Sequence, residues 1–297
     1  MFDYQQVVFG AAWRVRREDR NLGGLRLDRA LRALEAWPDI CSGSILEVGC
    51  GVGRFTAPLS AHLPTARLVA FDLSQAAVVE AARRGRHAAY AVANALSLPY
   101  ADGTFDAVVF FDLLEHLVQP AVALAEFARV TQPGGLLHGY VPCEGQPPTL
   151  HWLLRCWVHG VTHRHAGHIQ HYRHSELVAS VRQAGFAVLD LDYSCHLLGQ
   201  ALDVTTFAVR EVVFRRRRGA DQTSKVLEDF GSPRSRRSND RPEGYYDRSV
   251  LGTGRLSQIY GVVRTAIEAV TYAESRLLGW CPWASGVHLT AQRVSEG

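Results

Sequence analysis

The segment Ile45–Phe55 reads I-L-E-V-G-C-G-V-G-R-F, and it decides how the first half of the chain folds. A short apolar run, interrupted only by an acid at position 47, is followed by three glycines at every second position. The next residues, Thr56–Leu63, have the composition of a helix. A buried strand, a glycine turn and a helix N-terminus together make a place where a ligand can touch bare backbone.

Apolar strands alternate with helical stretches after this segment. The predicted strands are Ile45–Gly49, Arg67–Asp72, Ala88–Asn94, Phe105–Asp112, Leu136–Val141 and Phe186–Tyr193, and the predicted helices between them are Ala57–Leu63, Gln75–Arg84, Leu113–Leu117 with Ala121–Thr131, and Ser175–Gly185. Near-continuous apolar strands separated by helices indicate a parallel sheet covered on both faces. Ligands of such sheets bind at the carboxyl ends of the strands, near the switch in strand order.

The last apolar segment, Gly286–Arg293, alternates cleanly and predicts a seventh strand that pairs antiparallel beside strand six. The fold class is therefore α/β, with a Rossmann-like, seven-stranded, mostly parallel sheet whose final strand is antiparallel. We expect four parts: an N-terminal helical cap over 1–44, a core over 45–194, a helical insertion over 195–284 between strands six and seven, and the final strand within 285–297. The insertion contains two predicted helices, His196–Phe214 and Leu256–Leu278, and an arginine-rich loop over about 215–250 that reads as mobile.

The bulk composition excludes several classes of protein. The 297 residues are 47% hydrophobic and 21% charged, with a formal net charge of +3, which is ordinary for a globular enzyme and too small to indicate a nucleic-acid partner. The six cysteines form no C-x-x-C pair, so free thiols are expected. No signal peptide and no run of about 20 apolar residues is present, and we predict a cytoplasmic protein.

An acid ends the second predicted strand. Asp72 lies nineteen residues after Gly53, where the strand–helix–strand geometry brings it next to the glycine turn. A carboxylate at this place can accept hydrogen bonds from both hydroxyls of a ribose. The alternative is that Asp72 caps the helix that begins at Gln75, although Ser74 can supply that cap itself.

Three further motifs follow in order: V-A-N-A-L-S-L-P-Y-A-D-G-T-F-D at 92–106, F-F-D-L-L-E-H-L at 110–117 and R-V-T-Q-P-G-G-L-L at 129–137. With the glycine segment, they resemble the class I S-adenosylmethionine (SAM) dependent methyltransferases, in particular the ubiquinone-biosynthesis-like subgroup (methyltransferase type 11). The resemblance covers residues 45–142. A dinucleotide-binding G-x-G-x-x-G is a poorer match because Arg54 stands where its last glycine should be.

The resemblance implies SAM as the cofactor and assigns a role to each motif residue. In that scheme the methionyl portion lies against Gly49, Gly51 and Gly53, the ammonium side against Glu47, the ribose against Asp72 and Leu73, the adenine against Asn94, Ala95 and Leu96, and the sulfonium near Phe111 and Asp112. The family commonly has aspartate where this chain has Asn94, whose amide oxygen can still accept from the adenine amino group.

Acceptor chemistry is expected outside these motifs. Six histidines fall within 159–174, and G-H-I followed by Y-R-H-S-E-L resembles the segment that the family places over the acceptor. We predict His168 as general base or acceptor-binding residue, with His116 and Tyr172 as further candidates. The alternative is a structural role, in which these histidines line a polar loop or cap a helix.

The spacing of the histidines also raises the question of a metal site. His163, His165 and His168 have a chelating spacing, but no cysteine or clustered carboxylate completes the set, and Arg164 and Arg173 would repel a cation. We therefore expect no metal.

The predicted function is SAM-dependent methyl transfer to oxygen or carbon of a small organic acceptor of the secondary-metabolite, quinone or lipid-like kind. The alternatives left open are a non-catalytic SAM-binding regulator and an NAD-dependent oxidoreductase on a similar sheet. An RNA or protein methyltransferase is disfavoured because no N/D-P-P-Y motif follows strand four. We expect a small-molecule partner and no nucleic acid, a monomer or homodimer, and leave open a peripheral membrane contact through 196–218.

Overall fold

A computed structural model describes residues 15–37, 39–85, 87–209, 211–212 and 255–295. The first fourteen residues of the predicted cap and the predicted arginine-rich loop over 215–250 lie outside the described residues, and the side chains of 41 and 255–264 are not described either.

Seven strands of the described chain form one sheet, in the order β3-β2-β1-β4-β5-β7-β6. Their bounds are β1 Ser44–Val48, β2 Arg67–Asp72, β3 Ala89–Val92, β4 Phe105–Phe111, β5 Thr131–Pro142, β6 Phe186–Ser194 and β7 Gly286–Arg293. Strand β7 runs antiparallel to both β5 and β6, and the pairs among β1 to β5 are parallel. This confirms the predicted Rossmann-like sheet with its antiparallel last strand. That strand lies between β5 and β6.

Helices surround the sheet. They are α1 Leu22–Glu35, α2 Thr56–His62, α3 Gln75–Arg84, α4 Pro120–Val130, α5 Leu150–Leu153, α6 Arg155–Ala166, α7 His174–Gln183, α8 over residues 197–209 and 211–212, and α9 Arg255–Leu277. A short 3-10 helix, Leu114–His116, follows β4. The histidine-rich stretch over 159–174 is divided: His159, His163 and His165 lie in α6, whereas His168 and His171 lie in the non-helical segment 167–173 that precedes α7.

The two faces of the sheet have separate apolar cores. On one face, Phe110 and Phe127 pack with Leu177 of α7. On the other face, Leu31 of α1 packs with Leu59 of α2 under β1. The central strands β1 and β4 are buried along most of their length, which is why their sequences are near-continuously apolar rather than alternating.

The switch in strand order falls between β1 and β4. From β1 the chain winds through β2 and β3 on one side, and then returns to β4 and β5 on the other side. The carboxyl ends of β1 and β4 therefore frame the crevice in which ligands of such sheets bind. The glycine segment follows β1 and the F-D-L-L-E-H-L segment follows β4, so both motifs arrive at this edge.

Helix α1 is attached to this edge from the outside. Asn21 begins the helix, since its side-chain oxygen accepts from the backbone N–H of Gly24 at 2.9 Å. Buried Arg29 pairs with Asp192 of β6 at 3.1 Å and donates to the carbonyl of Tyr193 at 3.1 Å.

Among the described helices, none combines the length and the apolar character that crossing a bilayer requires.

Candidate cofactor and acceptor site

The glycine segment forms a tight turn that hydrogen bonds to β2. The backbone N–H groups of Gly49 and Cys50 both donate to the carbonyl of Phe71, each at 2.9 Å. Gly49, Gly51 and Gly53 all have positive φ, at 75°, 52° and 79°. Residues with a Cβ adopt this backbone only with strain, so the alternating glycines are required by the turn itself.

The three glycines differ in what surrounds them. A Cβ at Gly51 would have nothing within 4 Å, so this backbone borders open space. A Cβ at Gly49 would lie 3.0 Å from Leu113, and one at Gly53 would lie 3.3 Å from Ala81 of α3. Gly51 therefore offers the bare backbone that the sequence predicted, while Gly53 packs against a helix. The cofactor contacts of all three glycines stay predictions.

Glu47 lies in β1 directly before the turn, and it is buried, with 2% of its surface exposed. Its Oε2 atom accepts no hydrogen bond. Burial raises the pKa of this carboxyl to about 8; the nearby Thr56 hydroxyl opposes the rise, and the charge of Asp72 adds to it. A buried carboxyl with an unused oxygen fits a cationic ligand such as an ammonium group.

Asp72 is turned toward the glycine segment. Its Oδ2 accepts from the backbone N–H of Gly51 at 2.9 Å, and its Oδ1 accepts from the backbone N–H of Ser74 at 2.9 Å. The hydroxyl of Ser74 caps α3 by accepting from Ala77, so the capping alternative for Asp72 does not describe the structure. Burial raises the pKa of Asp72, and the backbone N–H bonds oppose that rise. Each carboxylate oxygen has a second lone pair left for a hydroxyl donor.

The predicted adenine residues form a small turn at the end of β3. The Asn94 side-chain oxygen accepts from the backbone N–H of Leu96 at 3.0 Å, and Asn94 is otherwise exposed. Ala95 is buried and Leu96 is partly buried against the core, while Leu73, at the ribose position, is 45% exposed. The amide of Asn94 thus has one donor group and one lone pair beyond its turn.

At the end of β4, Asp112 has a positive φ of 49° and pairs with Arg26 of α1. The guanidinium of Arg26 also lies 3.7 Å above the ring of Tyr140, a cation–π contact. Phe111 stacks on Phe55 with ring centroids 4.1 Å apart and is buried in the core. The cap helix α1 therefore contacts the edge at which the sulfonium is predicted.

Glu144, just after β5, is the centre of a cluster that includes His168, the residue predicted to act on the acceptor. Its Oε1 accepts from Nδ1 of His168 at 2.8 Å, and its Oε2 bonds Nδ1 of His171 at 3.0 Å and the hydroxyl of Thr162 at 3.0 Å. Burial alone would raise the pKa of Glu144, but the charge and hydrogen bond of His168 overcome burial and hold the pKa well below its usual range. His159 stacks on His171 with ring centroids 3.7 Å apart.

The predicted catalytic histidines are adjacent, with the rings of His116 and His168 5.1 Å apart. Burial lowers the pKa of His116 to about 3, and it accordingly remains neutral. Burial also opposes charge on His168, but the charge and hydrogen bond of Glu144 outweigh it and raise the pKa of His168 to about 9. An imidazole that carries a proton near pH 7 is a poor resting base, which favours the acceptor-binding half of the prediction for His168.

Tyr172 is less suited to catalysis. It is buried in the core with 8% of its surface exposed, its hydroxyl makes no hydrogen bond, and burial raises its pKa above the ordinary value. The three histidines with a chelating spacing do not converge in the structure. His163 is exposed, and His165 bonds Glu211 at 2.8 Å instead of approaching His168.

Three residues of this site were not among the predicted ones: Arg26, Glu115 and Glu144. Glu115 lies inside the quoted F-F-D-L-L-E-H-L motif, and Glu144 follows the end of a predicted strand, where ligand-binding residues are expected. Their positions were therefore available from the sequence. Arg26 lies on a helix whose apolar residues alone were considered, and nothing in its spacing distinguishes it.

Comparison with known proteins shows which families the central part of this chain resembles. Residues 46–138 match the model of the methyltransferase domain family. The chain is 35% identical over 141 residues to a malonyl-[acyl-carrier protein] O-methyltransferase of Hahella chejuensis, covering 47% of this chain and 48% of the relative. It is 35% identical over 96 residues to a ubiquinone/menaquinone biosynthesis C-methyltransferase of Desulfotalea psychrophila, covering 32% and 39%.

Among solved structures, the [4+2]-cyclase SpnF matches 99% of this chain and 88% of its own, with a TM-score of 0.54 and 19% identity. That likeness concerns the fold alone. The chain spans about half or less of the length of the curated relatives named here.

The fold and the matched residues 46–138 have the features of a class I methyltransferase domain. More particularly, this segment is similar to the SAM-dependent methyltransferases of the ubiquinone-biosynthesis-like subgroup, as the sequence predicted. The residues present fit SAM: Glu47 has an unused buried oxygen for an ammonium group, Gly51 borders open space, and Asp72 has lone pairs for a ribose diol.

Proposed function

We propose that this protein transfers the methyl group of SAM to an oxygen or carbon atom of a small organic acceptor. The observation that carries the proposal is the geometry at the carboxyl edge of the sheet, where Glu47 and Asp72 flank the turn at Gly51 inside a domain matched to the methyltransferase family. The fold by itself carries less weight, since a cyclase shares it.

SAM, when bound, supplies an activated methyl group on a sulfonium. The protein then has to hold the acceptor atom in line with that group and exclude water, since positioning is the main requirement of such a displacement. The methyl carbon forms a bond to the acceptor atom as the bond to sulfur breaks, and an acceptor that carries a proton loses it to a protein group or to water. Glu47, Gly51 and Asp72 would hold the cofactor side.

The acceptor side is proposed to be the cluster around Glu144 and His168. Glu144 fixes the imidazole through Nδ1 at 2.8 Å, so that Nε2 is the atom this ring presents to an acceptor. Arg26 and Asp112 bring α1 to the same edge and would close it from the side of the cap. The predicted histidine-assisted deprotonation is assigned to this cluster and is tested with it.

The nature of the acceptor is inferred from the relatives. One relative is named as an O-methyltransferase acting on a malonyl group, and another as a C-methyltransferase of quinone biosynthesis. Both names describe organic acceptors methylated at oxygen or carbon. The acceptor of this chain is accordingly proposed to be an organic acid, a quinone-like ring or a lipid-like molecule.

Calorimetric titration with SAM and with its demethylated product tests the cofactor half of the proposal. We expect saturable heat with both ligands. Incubation with methyl-labelled SAM and a panel of carboxylates, phenols and quinols then tests transfer. Absence of heat and of a thermal shift with either ligand would contradict the proposal, and SAM binding without transfer to any acceptor would favour the non-catalytic regulator.

Substitution of His168 tests the acceptor half. His168→Ala and His168→Gln should lose turnover while keeping SAM affinity, because the ring lies on the acceptor side. His163→Ala is the matched control, since His163 is an exposed histidine on the same segment. Unchanged turnover in both His168 variants would remove this residue from the mechanism.

The predicted membrane contact and oligomeric state are also proposals. The described part of the 196–218 stretch is helical, and Leu197 and Leu198 at its start are 67% and 46% exposed. Co-sedimentation with anionic vesicles tests the contact, and light scattering after size exclusion distinguishes monomer from homodimer.

A further inference from the structure

Two histidines and one glutamate converge beside Asp112. One ligand atom from each of Glu115, His116 and His168 lies within 4.8 Å of the other two. Nε2 of His116 is 3.7 Å from Oε1 of Glu115. Atoms that share one ion at about 2.0–2.2 Å lie roughly 3–4 Å apart, so the three side chains need to move little to share an ion.

Glu115 is the most buried of the three side chains and lacks hydrogen-bond partners. Its side chain is 0% exposed, and neither carboxylate oxygen accepts a hydrogen bond. A buried, unsatisfied carboxylate is costly unless a cation compensates it. The backbone around it is fixed, because the carbonyl of Glu115 accepts from Ile169 at 2.8 Å and from Gln170 at 3.0 Å. The unsatisfied oxygens are therefore held in place by the chain that follows His168.

Both imidazoles are oriented by acceptors at their Nδ1 atoms. Nδ1 of His168 lies 2.8 Å from the Glu144 carboxylate, and Nδ1 of His116 lies 3.2 Å from the carbonyl of Gly167. In metal sites the ligating histidine almost always donates its other ring N–H to a carboxylate or a backbone carbonyl. With Nδ1 held as the donor, Nε2 is the atom left for ligation, and on His168 an ion would displace the Nε2 proton to reach its lone pair.

From this convergence we propose that Glu115, His116 and His168 bind a divalent first-row transition-metal ion. Two imidazoles and one carboxylate suit Zn²⁺, Fe²⁺, Co²⁺ or Mn²⁺, whereas Mg²⁺ and Ca²⁺ prefer sites made of oxygen atoms alone. Three protein ligands leave coordination positions for other molecules. This set differs from the histidine triplet considered in the sequence, because it takes its carboxylate from the segment after β4.

The surrounding charges favour a cation. Glu144 and Asp112 are the further carboxylates that act on His168, and Arg26 is the nearby cation. Arg26 is paired with Asp112, so their charges balance. The Glu115 carboxylate remains to compensate a divalent ion, and Glu144 joins it when the ion displaces the proton of His168. Arg164, which counted against a metal in the sequence, pairs with Glu211 instead.

Metal binding is proposed independently of methyl transfer, but a bound ion would affect how the acceptor reacts. The cluster is next to Asp112, where the sulfonium is predicted, so an ion here would be on the acceptor side. It would polarise an acceptor oxygen and lower the cost of removing its proton. That consequence rests on the proposed function, whereas metal binding itself does not.

Zinc titration of the full chain tests the site. The purified protein is treated with EDTA, dialysed and titrated with Zn²⁺ by calorimetry, without SAM or acceptor. We expect one tight site per chain. His116→Ala, His168→Ala and Glu115→Gln should each weaken it by more than the roughly 10–100-fold expected for Glu144→Gln, which alters only a supporting hydrogen bond. His163→Ala should bind as the wild type does, and excess Mg²⁺ should not compete.

Two controls keep the outcome clear. Glu115→Gln has nearly the same shape and removes a buried charge, so it should fold, which circular dichroism checks. Co²⁺ gives visible absorption bands when nitrogen ligates it, and these bands should disappear in His168→Ala. Absence of tight binding in the wild type, or wild-type affinity in Glu115→Gln, would overturn the proposal and leave a proton-sharing network. Loss of SAM binding with intact zinc binding would count against the proposed function only.

Discussion

The cofactor edge and the acceptor-side cluster are built in opposite ways. The cofactor edge uses main chain and two carboxyls, Glu47 and Asp72, within one strand–helix–strand unit of the sequence. The cluster around Glu144 uses side chains from three separate segments, after β4, after β5 and between α6 and α7. The first is local in sequence and the second is made only by tertiary structure.

The causes of the pKa shifts also differ between the two regions. Burial dominates at the cofactor edge and raises the pKa of Glu47 and Asp72. In the cluster, His168 overcomes burial and holds the pKa of Glu144 well below its usual range. The cofactor edge thus depends on a ligand to compensate its carboxyls, whereas Glu144 has its partners within the protein. SAM binding should therefore depend on the edge at Glu47 and Asp72, and folding stability on the cluster around Glu144.

The largest effect is expected in the cluster. Glu144→Ala leaves two partly buried imidazoles and a buried hydroxyl without their partner, and should lower the free energy of unfolding by about 3–5 kcal/mol. Urea unfolding measures this loss. Glu80→Ala, which breaks a partly exposed pair with Arg84 on α3, should cost at most about 1 kcal/mol. Equal losses in the two variants would contradict the contrast.

Asp72→Ala should affect binding instead. Loss of the ribose-facing carboxylate should weaken SAM binding by about 1–3 kcal/mol, because charge-assisted hydrogen bonds are lost. Calorimetric titration checks this result. Asp102→Ala removes an acid that is 78% exposed and distant from the turn, and should leave SAM affinity unchanged. A similar affinity in both variants would remove Asp72 from the cofactor site.

Gly51→Ala separates strain from ligand contact. Its positive φ should cost roughly 1–2 kcal/mol of stability, and its Cβ would enter the space assigned to the methionyl portion. Gly185→Ala is a matched control, because Gly185 also has a positive φ, 94°, with nothing within 4 Å of its Cβ position, but it follows α7. Both variants should lose similar stability, and Gly51→Ala alone should lose SAM affinity. Equal SAM affinity in the two variants would contradict the contact assigned between Gly51 and the methionyl portion.

A smaller effect is expected from pH. The pKa of Glu47 is about 8 in the free protein, above its unfolded value of 4.5. An ammonium partner lowers that pKa, so SAM binding should release a proton and its affinity should rise by up to about tenfold per pH unit between roughly pH 5.5 and 7.5. Calorimetry in buffers of different ionisation enthalpy measures the release. Glu47→Gln should abolish it, and an unchanged pH profile in that variant would contradict the assignment.

The same shift has a consequence for stability. Because the folded-state pKa of Glu47 is raised, its protonated form contributes stability that is full below pH 4.5 and is lost as the pH rises through about 8. Glu47→Gln removes this dependence, so the variant should lose less stability than the wild type on going from pH 5 to pH 8.

The fold followed closely from the sequence. Buried parallel strands are continuous apolar runs, so β1, β2 and β4 could be recognised directly, and the alternation of Gly286–Arg293 identified β7 with its antiparallel pairing. The start of β5 was missed, because Pro133 and two glycines looked like a turn, yet the strand begins at Thr131. Helices α5 and α6 were missed because tryptophans and histidines obscured their period.

The candidate site was predictable only in part. The place of Asp72 beside the turn at Gly51 follows from chain geometry, and the structure has this hydrogen bond at 2.9 Å. Glu144 and Glu115 are different, because their roles depend on which histidines fold against them. Sequence spacing grouped His168 with His163, whereas tertiary packing groups it with His116. Local periodicity carries no information about such contacts.

The ion pair between Arg26 and Asp112 has a practical consequence for dissecting this protein. A fragment trimmed to the matched residues 46–138 would retain nearly all of the quoted motifs but lose the arginine that neutralises the acid after β4. Excised in this way, the domain would carry an uncompensated charge beside its proposed cofactor site. Domain-swap libraries built on this chain should therefore keep α1 attached.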